Sequence, residues 1–223
     1  MTDFAAARAN MVESQIRPNK VTDPALIRAL AALPREQFVP VGRRPLAYVD
    51  EDLPIGGGRY LMEPMVLARL IQTAAPDPDG IALVVGCGTG YAAAVLARLC
   101  ETVIGVESDK ALAARAAATL TDLGIDNALI VEGPAGAGYP KQAPYDTILF
   151  DGAIPDFPDT LVAQCAEGGR MVGVLTGAGT GAGIGVGRAT VGIAYGGIVS
   201  KRPVFDAGVP SLPEFAEARV FRF

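Results

Sequence analysis

The sequence contains no histidine among its 223 residues. This absence excludes histidine-dependent catalytic triads, and it removes the most common general base and the most common zinc ligand. Its three scattered cysteines, Cys87, Cys100 and Cys165, form neither a C-x-x-C pattern nor a disulfide framework. They suit a reducing cytoplasm, where they would act as small buried apolar residues. Any chemistry must therefore come from carboxylates, Tyr, Lys, hydroxyl or thiol groups, or a cofactor, and we expect no metal.

Long apolar runs are also missing, since no stretch approaches the roughly 20 residues that a membrane span needs. The first 15 residues carry charges and lack the apolar core of a signal peptide, so we expect a cytoplasmic protein. The formal charge of −5 and the pI near 4.8 argue against nucleic acid as a main partner. The length suits one large α/β domain with an ample core.

The most informative stretch is I-A-L-V-V-G-C-G-T-G-Y at residues 81–91. Its apolar run is typical of a strand that is buried on both faces of a parallel sheet. Gly86, Gly88 and Gly90 then allow a tight turn and a close approach of the backbone to a ligand. An Ala-rich helical pattern over Tyr91–Leu99 follows, and its N-terminal amides would point at that ligand. The stretch predicts a nucleotide-like ligand above a strand, a glycine loop and a helix.

The glycine spacing helps to distinguish between ligands. Dinucleotide-binding loops have the pattern G-x-G-x-x-G, but Tyr91 occupies the position of the last glycine. The G-x-G-x-G pattern resembles instead the first motif of S-adenosylmethionine-dependent methyltransferases. The next apolar run, residues 102–106, ends at Glu107, 17 residues after Gly90. An acid at this strand end would hold a ribose diol, although a solvated strand-end acid is the alternative interpretation.

Strand and helix patterns alternate after the glycine loop, which predicts a parallel sheet with right-handed crossovers and helices on both faces. Residues 1–76 have helical spacing in several segments, and we interpret them as an N-terminal helical cap and substrate loop joined to a cofactor-binding sheet at 77–223. The predicted helices are 4–16, 24–33, 64–75, 91–99, 109–123 and 159–166, and the predicted strands after the loop are 102–107, 127–131, 147–151 and 170–175.

The last quarter of the chain has weaker patterns. Residues 176–187 carry a glycine at every second position but lack the Lys of a phosphate-binding P-loop, so we interpret them as a loop or strand-edge connection. Two late strand patterns, 189–194 and 218–223, flank a polar excursion that contains proline. We predict that these two strands form a hairpin at the edge of the sheet.

Six or more sequence blocks in order are similar to one family, the protein-L-isoaspartate O-methyltransferases. The N-terminal blocks are M-V-E-S-Q-I (11–16), V-T-D (21–23), P-R-E-Q-F-V-P (34–40), A-Y-V-D (47–50) and L-P-I-G-G-G (53–58). The later blocks are G-C-G-T-G-Y-A-A-A-V-L-A (86–97), A-P-Y-D-T-I-L-F (143–150) and E-G-G-R-M-V (167–172). The resemblance covers about residues 8–175 and implies a Rossmann-like class I methyltransferase of a divergent kind.

The resemblance also implies S-adenosylmethionine as methyl donor and an isoaspartyl or D-aspartyl carboxylate of a damaged protein as acceptor. A carboxylate is already ionised at neutral pH, so a histidine-free site needs no general base for this reaction. The expected cofactor-binding residues are Gly86, Cys87, Gly88, Thr89, Gly90, Glu107, Ser108, Glu132 and Gly133.

Several positions depart from the family pattern. The family carries Thr and Ser hydroxyls in the loop after L-P-I-G, where this chain has Tyr60 and Met62. It also places an acid two residues before the first loop glycine, where this chain has Val84. The family's G-D-G after the third strand corresponds to a segment with Pro134 in the acid's place, which leaves Glu132 as the nearest acid.

The altered loop supplies the candidate substrate residues Gly58, Arg59, Tyr60 and Met62. Arg59 could pair with the acceptor carboxylate and Tyr60 could supply a phenolic hydroxyl. The alternative interpretation is that Arg59 is solvated or salt-bridged and that Tyr60 is half-buried with its hydroxyl in water. Asp151, after the fourth strand, could stabilise the sulfonium charge or simply cap a turn.

Two further hypotheses remain open for this sequence. The missing acids at Val84 and Pro134 are compatible with a family homologue that has lost its activity and acts as a binding or scaffold protein. The altered loop is also compatible with a methyltransferase that acts on another carboxylate.

Overall fold

The computed structural model describes residues 3–177 and 184–215. Within these ranges the α-helices are α1 (Phe4–Met11), α2 (Pro24–Ala32), α3 (Pro64–Ala74), α4 (Tyr91–Leu96), α5 (Lys110–Asp122) and α6 (Asp159–Val162). The strands are β1 (Leu53–Gly56), β2 (Arg59–Leu61), β3 (Ile81–Val85), β4 (Thr102–Glu107), β5 (Ala128–Glu132), β6 (Tyr145–Ile154), β7 (Cys165–Leu175), β8 (Ile184–Tyr195) and β9 (Ile198–Pro210). A π-helical turn, Val12–Ile16, extends α1, and 3-10 turns include Arg35–Phe38, Ala135–Ala137 and Pro213–Phe215.

Seven strands form the central sheet in the order β5-β4-β3-β6-β7-β8-β9. The first five of these are parallel, whereas β8 and β9 run antiparallel to their neighbours. The helices between the parallel strands provide the crossovers that this arrangement needs. The predicted mostly parallel α/β fold with edge strands at the C-terminal side is confirmed.

The central strand β3 is buried on both faces, as its uninterrupted apolar sequence predicts. Ala82 and Val84 belong to the hydrophobic cluster on one face, whereas Leu83 and Val85 belong to the cluster on the other face. The first cluster takes side chains from α1 to α5, and the second takes Leu161 from α6. The N-terminal helices therefore share one apolar core with the sheet.

The edge hairpin is real, but its second strand is not the predicted one. Strand β8 pairs with β9, which lies in the segment predicted to be a polar excursion, through a turn at Gly196 and Gly197. Strand β9 is an edge strand, so it tolerates Pro203 and exposed charged residues that obscure its pattern. The strand predicted at 218–223 and residues 178–183 of the glycine-rich segment lie outside the described residues, while 184–187 begin β8.

Several predicted boundaries need correction. Strands β6 and β7 are each longer than predicted, at 10 and 11 residues, because their ends also carry small and polar residues that pair with neighbours. Helix α6 has only four residues, since β7 already begins at Cys165. The stretch 47–64, interpreted as irregular, contains the antiparallel pair of β1 and β2.

Candidate functional site

The sheet places three chemically important segments at one edge. Strand β3 lies between β4 and β6. After β3 the chain adds β4 and β5 on one side of it and then returns to add β6 on the other side, so the strand order reverses at β3. Parallel strands with this arrangement open a crevice beyond their carboxyl ends, where ligands of α/β proteins bind. The glycine loop follows β3, and Glu107 is the last residue of β4. Asp151 in β6 comes directly after Phe150, which pairs with Val85, the last residue of β3.

The glycine loop turns tightly at the end of β3. Gly86 and Gly88 have φ angles of +71° and +54°, a backbone region that favours glycine. The amide of Gly86 donates to the carbonyl of Val106 at 2.9 Å, and the amide of Gly88 donates to Oε2 of Glu107 at 2.8 Å. The loop is therefore tied to the end of β4, and the predicted ribose-binding acid lies directly beside it.

Glu107 is fully buried and forms an ion pair with Arg59 from β2. Nε of Arg59 donates to both carboxylate oxygens at 3.1 Å, and Nη2 donates to Oε1 at 3.0 Å. The amide of Asp109 adds a bond of 2.9 Å to Oε1. Glu107 is thus neither a solvated acid nor a free one, because its carboxylate already has several donors.

A second carboxylate completes this ion-pair network. Glu214, in the 3-10 turn after β9, accepts a bond of 2.6 Å from Nη1 of Arg59, and Nη2 of Arg59 donates to its other oxygen. The hydroxyl of Ser108 donates to Glu214 and accepts from Arg59 at 3.2 Å. The Arg59 guanidinium, whose side chain is 2% exposed, is therefore bound by two acids of the chain itself.

The ion pairs also govern the protonation of this network. Burial alone would lower the pKa of Arg59, but the bonds to Glu214 and Glu107 raise it above its usual range. Burial opposes ionisation of Glu214 in the same way, yet the bonds from Arg59 and Ser108 lower the pKa of its carboxyl group. Both groups therefore stay charged at neutral pH.

Apolar side chains lie against the glycines. A Cβ atom added to Gly86 would stand 2.7 Å from Leu212 Cδ2, and one added to Gly88 would stand 2.7 Å from Ile55 Cδ1. Leu212 also approaches Gly152, where an added Cβ would lie 2.7 Å from the same Cδ2 atom. Leu212 and Ile55 therefore each lie close to a glycine of the loop.

Asp151 carries a polar atom at the site that is not hydrogen-bonded to any described residue. It is buried, and its Oδ1 atom has no hydrogen-bond partner within the described part of the chain. Burial raises the pKa of Asp151 to about 7, while the nearby charges of Arg35 and Arg59 lower it and that of Glu107 raises it. An unpartnered buried carboxyl is uncommon in proteins and is a feature of functional sites.

Asp151 lines a small pocket of about 240 Å³, measured with its open mouth. The other polar or substrate-loop residues of its lining include Asp52, Gly58, Arg59, Tyr60, Met62 and Ser211. Burial raises the pKa of Asp52 to about 6, against the lowering effect of a bond from the Glu63 amide. Tyr60 is partly exposed at 37%, whereas Met62 is buried. The substrate loop predicted from sequence therefore meets Asp151 at this pocket.

The remaining predicted residues lie around the loop. Cys87 is buried, and the Thr89 hydroxyl donates to the carbonyl of Phe38 at 2.5 Å, so it anchors the loop to the N-terminal segment. Glu132 is exposed at the end of β5, in register with Glu107. The amide of Gly133 donates to the carbonyl of Glu107 at 2.9 Å.

The two positions at which the family pattern has an acid are occupied by Val84 and Pro134. Val84 lies wholly in the core, and Pro134 is exposed before a 3-10 turn.

Sequence reasoning missed several residues at the site. Leu212 and Glu214 belong to a segment with no pattern of its own, so the sequence carried no signal for them. Arg35 lies in the P-R-E-Q-F-V-P block, and it is fully buried with Nη2 donating to the carbonyl of Met62 at 2.6 Å. The position of Arg35 in a block that resembles the family pattern is the signal that could have drawn attention to it.

No group of three or more acidic, Cys or His residues in the described ranges has an arrangement that could hold a metal ion. Among the same residues, no helix has the length and apolar character to cross a membrane.

Comparison with known proteins identifies relatives over most of the chain. A sequence model described as Protein-L-isoaspartate(D-aspartate) O-methyltransferase matches residues 6–177. The protein-L-isoaspartate O-methyltransferase of Koribacter versatilis is 42% identical over 172 residues, which cover 77% of this chain and 78% of that protein. The protein-L-isoaspartate O-methyltransferase 1 of Rhodopseudomonas palustris is 42% identical over 171 residues, covering 77% and 70% of the two chains.

Solved structures agree in fold. A solved protein-L-isoaspartate O-methyltransferase superposes with a TM-score of 0.79 at 23% identity, over 94% of this chain and 67% of that one. A putative protein-L-isoaspartate O-methyltransferase from Plasmodium falciparum, in complex with S-adenosyl-L-homocysteine, has a TM-score of 0.75 at 19% identity, over 96% of this chain and 100% of that one. With the sequence matches, these confirm the predicted fold, methyltransferase function and enzyme class. The chain therefore belongs to the protein-L-isoaspartate(D-aspartate) O-methyltransferase family.

Proposed function

We propose that this chain transfers a methyl group from S-adenosylmethionine to the carboxylate of an isoaspartyl or D-aspartyl residue in damaged proteins. The observation that carries the proposal is the meeting of three features at one sheet edge. These are the glycine loop, the acid Glu107 and the buried carboxyl of Asp151, whose Oδ1 atom has no hydrogen-bond partner among the described residues. Family membership supports it independently.

The residues present fit the proposed donor chemically. Glu107 would hold the ribose hydroxyls, and the backbone of residues 86–90 would approach the donor closely, as it does now with Leu212 and Ile55. When bound, S-adenosylmethionine supplies an electrophilic methyl group on a positively charged sulfur. Asp151 would give that charge an opposite partner in a site that largely excludes water. Ser108, Glu132 and Gly133 would contribute to the rim.

The chain's part in the reaction is alignment and exclusion of water rather than proton transfer. An acceptor carboxylate is ionised at neutral pH and needs no base, which agrees with the absence of histidine. Tyr60, which lines the Asp151 pocket and is partly exposed, would supply a phenolic hydroxyl there. Arg35 holds the carbonyl of Met62, so it fixes the path of the substrate loop. Holding the two reactants in line is sufficient to produce a large acceleration.

The proposal is tested with labelled S-adenosylmethionine and two peptides that differ only in one isoaspartyl or aspartyl linkage. We expect label on the isoaspartyl peptide and its release as methanol at alkaline pH, because a carboxyl methyl ester hydrolyses there. A matched reaction with the Glu107→Gln variant should lose most of the transfer, whereas Glu101→Gln, an exposed acid before β4, should not. Equal labelling of both peptides would contradict the assigned acceptor.

A second candidate is methylation of another carboxylate, which Tyr60 and Met62 favour by standing where the family has hydroxyls. Met62 is buried, so it cannot replace a substrate-binding Ser at this position. Donor binding without transfer to the isoaspartyl peptide would support this second candidate.

The proposal includes the setting of the reaction. We propose that the N-terminal segment and the sheet work as one domain in the cytoplasm, with damaged proteins or peptides as partners and neither metal nor nucleic acid involved. The shared core of α1 to α5 with the sheet supports the one-domain interpretation.

A further inference from the structure

Four consecutive residues after β9 lie on the carboxyl end of the sheet, and we call residues 212–215 the strap. Leu212 contacts Gly86 and Gly152, and Pro213 lies 3.1 Å from the position of a Cβ on Gly58. Glu214 binds Arg59 and Ser108, and the ring of Phe215 meets Phe150 edge-on with 6.3 Å between centroids. The strap therefore contacts the glycine loop, the substrate loop, the Arg59 ion-pair network and strand β6.

The strap is anchored by its backbone as well. The amide of Leu212 donates to the carbonyl of Ala153 in β6 at 2.9 Å, and Ser211 forms a parallel bridge with Ala153. The amide of Phe215 donates back to the carbonyl of Leu212 at 3.0 Å. Leu212 is 2% exposed, so the strap is seated in the core rather than lying loosely on the surface.

The strap and Arg59 occupy the two features that a donor would need. Arg59 takes both oxygens of Glu107, the acid proposed for the ribose, and Glu214 holds Arg59 in that position. Leu212 covers the first loop glycine, where the backbone would otherwise be open to a ligand. A donor can reach Glu107 and the loop only after these contacts have broken.

We propose that the strap is a built-in gate that closes the donor site and must lift, releasing Arg59 from Glu107, before S-adenosylmethionine binds. This inference rests on the proposed function. The strap lies outside residues 6–177, the range that the family match covers. The donor and the strap then compete for the same groups, and weakening the strap raises the apparent affinity for the donor.

The test is calorimetric titration of the full chain with S-adenosylhomocysteine, comparing the wild type with Glu214→Gln. Glutamine keeps the shape of the side chain but removes the charge that holds Arg59. We expect the variant to bind S-adenosylhomocysteine about tenfold more tightly. The substitution lowers the population of the closed state, so a larger fraction of the protein is open and able to bind. The matched control is Glu167→Gln, an exposed carboxylate that accepts from the Gly196 amide at 3.0 Å and lies outside the site. Its affinity should equal that of the wild type.

Leu212→Ala provides a second variant with the same expected direction, and its melting temperature shows whether it is folded. Hydrogen exchange gives a readout that is independent of affinity: the amide of Leu212 should lose protection when S-adenosylhomocysteine is added to the wild type. Unchanged affinity in Glu214→Gln, with a Leu212 amide that stays protected in the complex, would overturn the gate while leaving the proposed function intact. Absence of binding in every variant would overturn both proposals.

Discussion

Replacing Glu107 with alanine is expected to lower the free energy of unfolding by about 3–5 kcal/mol. This is the range for removing one partner of a buried ion pair, which leaves the other charge buried without its partner. The guanidinium of Arg59 would keep Glu214 as its acidic partner, and the amides of Gly88 and Asp109 would lose their acceptor. Urea unfolding measures the loss. Glu101→Ala, which removes an exposed acid just before β4, is the control and should stay within about 0.5 kcal/mol of wild type.

A double-mutant cycle shows whether the loss comes from the pair itself. Arg59→Met combined with Glu107→Ala removes both charges, so the double variant should lose clearly less stability than the sum of the two single variants. Strict additivity, or a Glu107→Ala variant as stable as the Glu101→Ala control, would contradict the ion-pair assignment.

Replacing Asp151 with asparagine is expected to stabilise the protein by a few kcal/mol at pH 8 and to have little effect near pH 4. The pKa of Asp151 is raised to about 7 by burial, from 3.8 for an exposed group. Between these values the unfolded chain releases this proton and the folded chain keeps it, so wild-type stability falls as pH rises from about 4 to about 7. Asparagine cannot ionise, so the variant lacks this loss.

Urea unfolding at several pH values between 4 and 8 measures the difference between the two proteins. The control is Asp122→Asn at the exposed end of α5, which should shift stability by no more than about 0.5 kcal/mol at any pH. A difference between Asp151→Asn and wild type that does not grow with pH would refute the buried, protonated state of Asp151.

The same carboxyl links stability to donor binding. Asp151 must release its proton to pair with the positive sulfonium of S-adenosylmethionine, whereas the sulfur of S-adenosylhomocysteine is uncharged. The ratio of the affinity for S-adenosylmethionine to the affinity for S-adenosylhomocysteine should therefore rise about tenfold from pH 6 to pH 8. In Asp151→Asn the ratio should not depend on pH. The buried carboxyl of Asp151 therefore lowers the stability of the fold but would contribute to donor binding.

Local sequence patterns were sufficient for the centre of the fold. The apolar run of β3, the glycines after it and the acid at the end of β4 are close in sequence, and each has a strong physical signature. These features predicted that Glu107 lies near the glycine loop, and the amide of Gly88 does donate to its carboxylate. The sequence also predicted an edge hairpin, but Pro203 and the charged residues of β9 masked its second strand, because an edge strand needs no buried face on both sides.

The contacts that close the site were beyond such patterns. Arg59 and Glu107 are 48 residues apart in the chain, and Arg59 and Glu214 are 155 apart. The sequence marked Arg59 as a candidate for the acceptor carboxylate, whereas in the structure two acids of the chain itself bind it. Nothing in the local pattern around Leu212 indicates that it covers Gly86. Pairings of this kind depend on the folded sheet, which brings distant loops to one edge.

A crystal structure of the chain with S-adenosylhomocysteine would show directly where the donor binds. We predict that the ribose hydroxyls lie on Glu107, that Arg59 has left that carboxylate, and that Leu212 no longer covers Gly86. A structure with Arg59 still bound to Glu107 and the ligand elsewhere, at saturating concentration, would contradict the assignment of this crevice as the donor site.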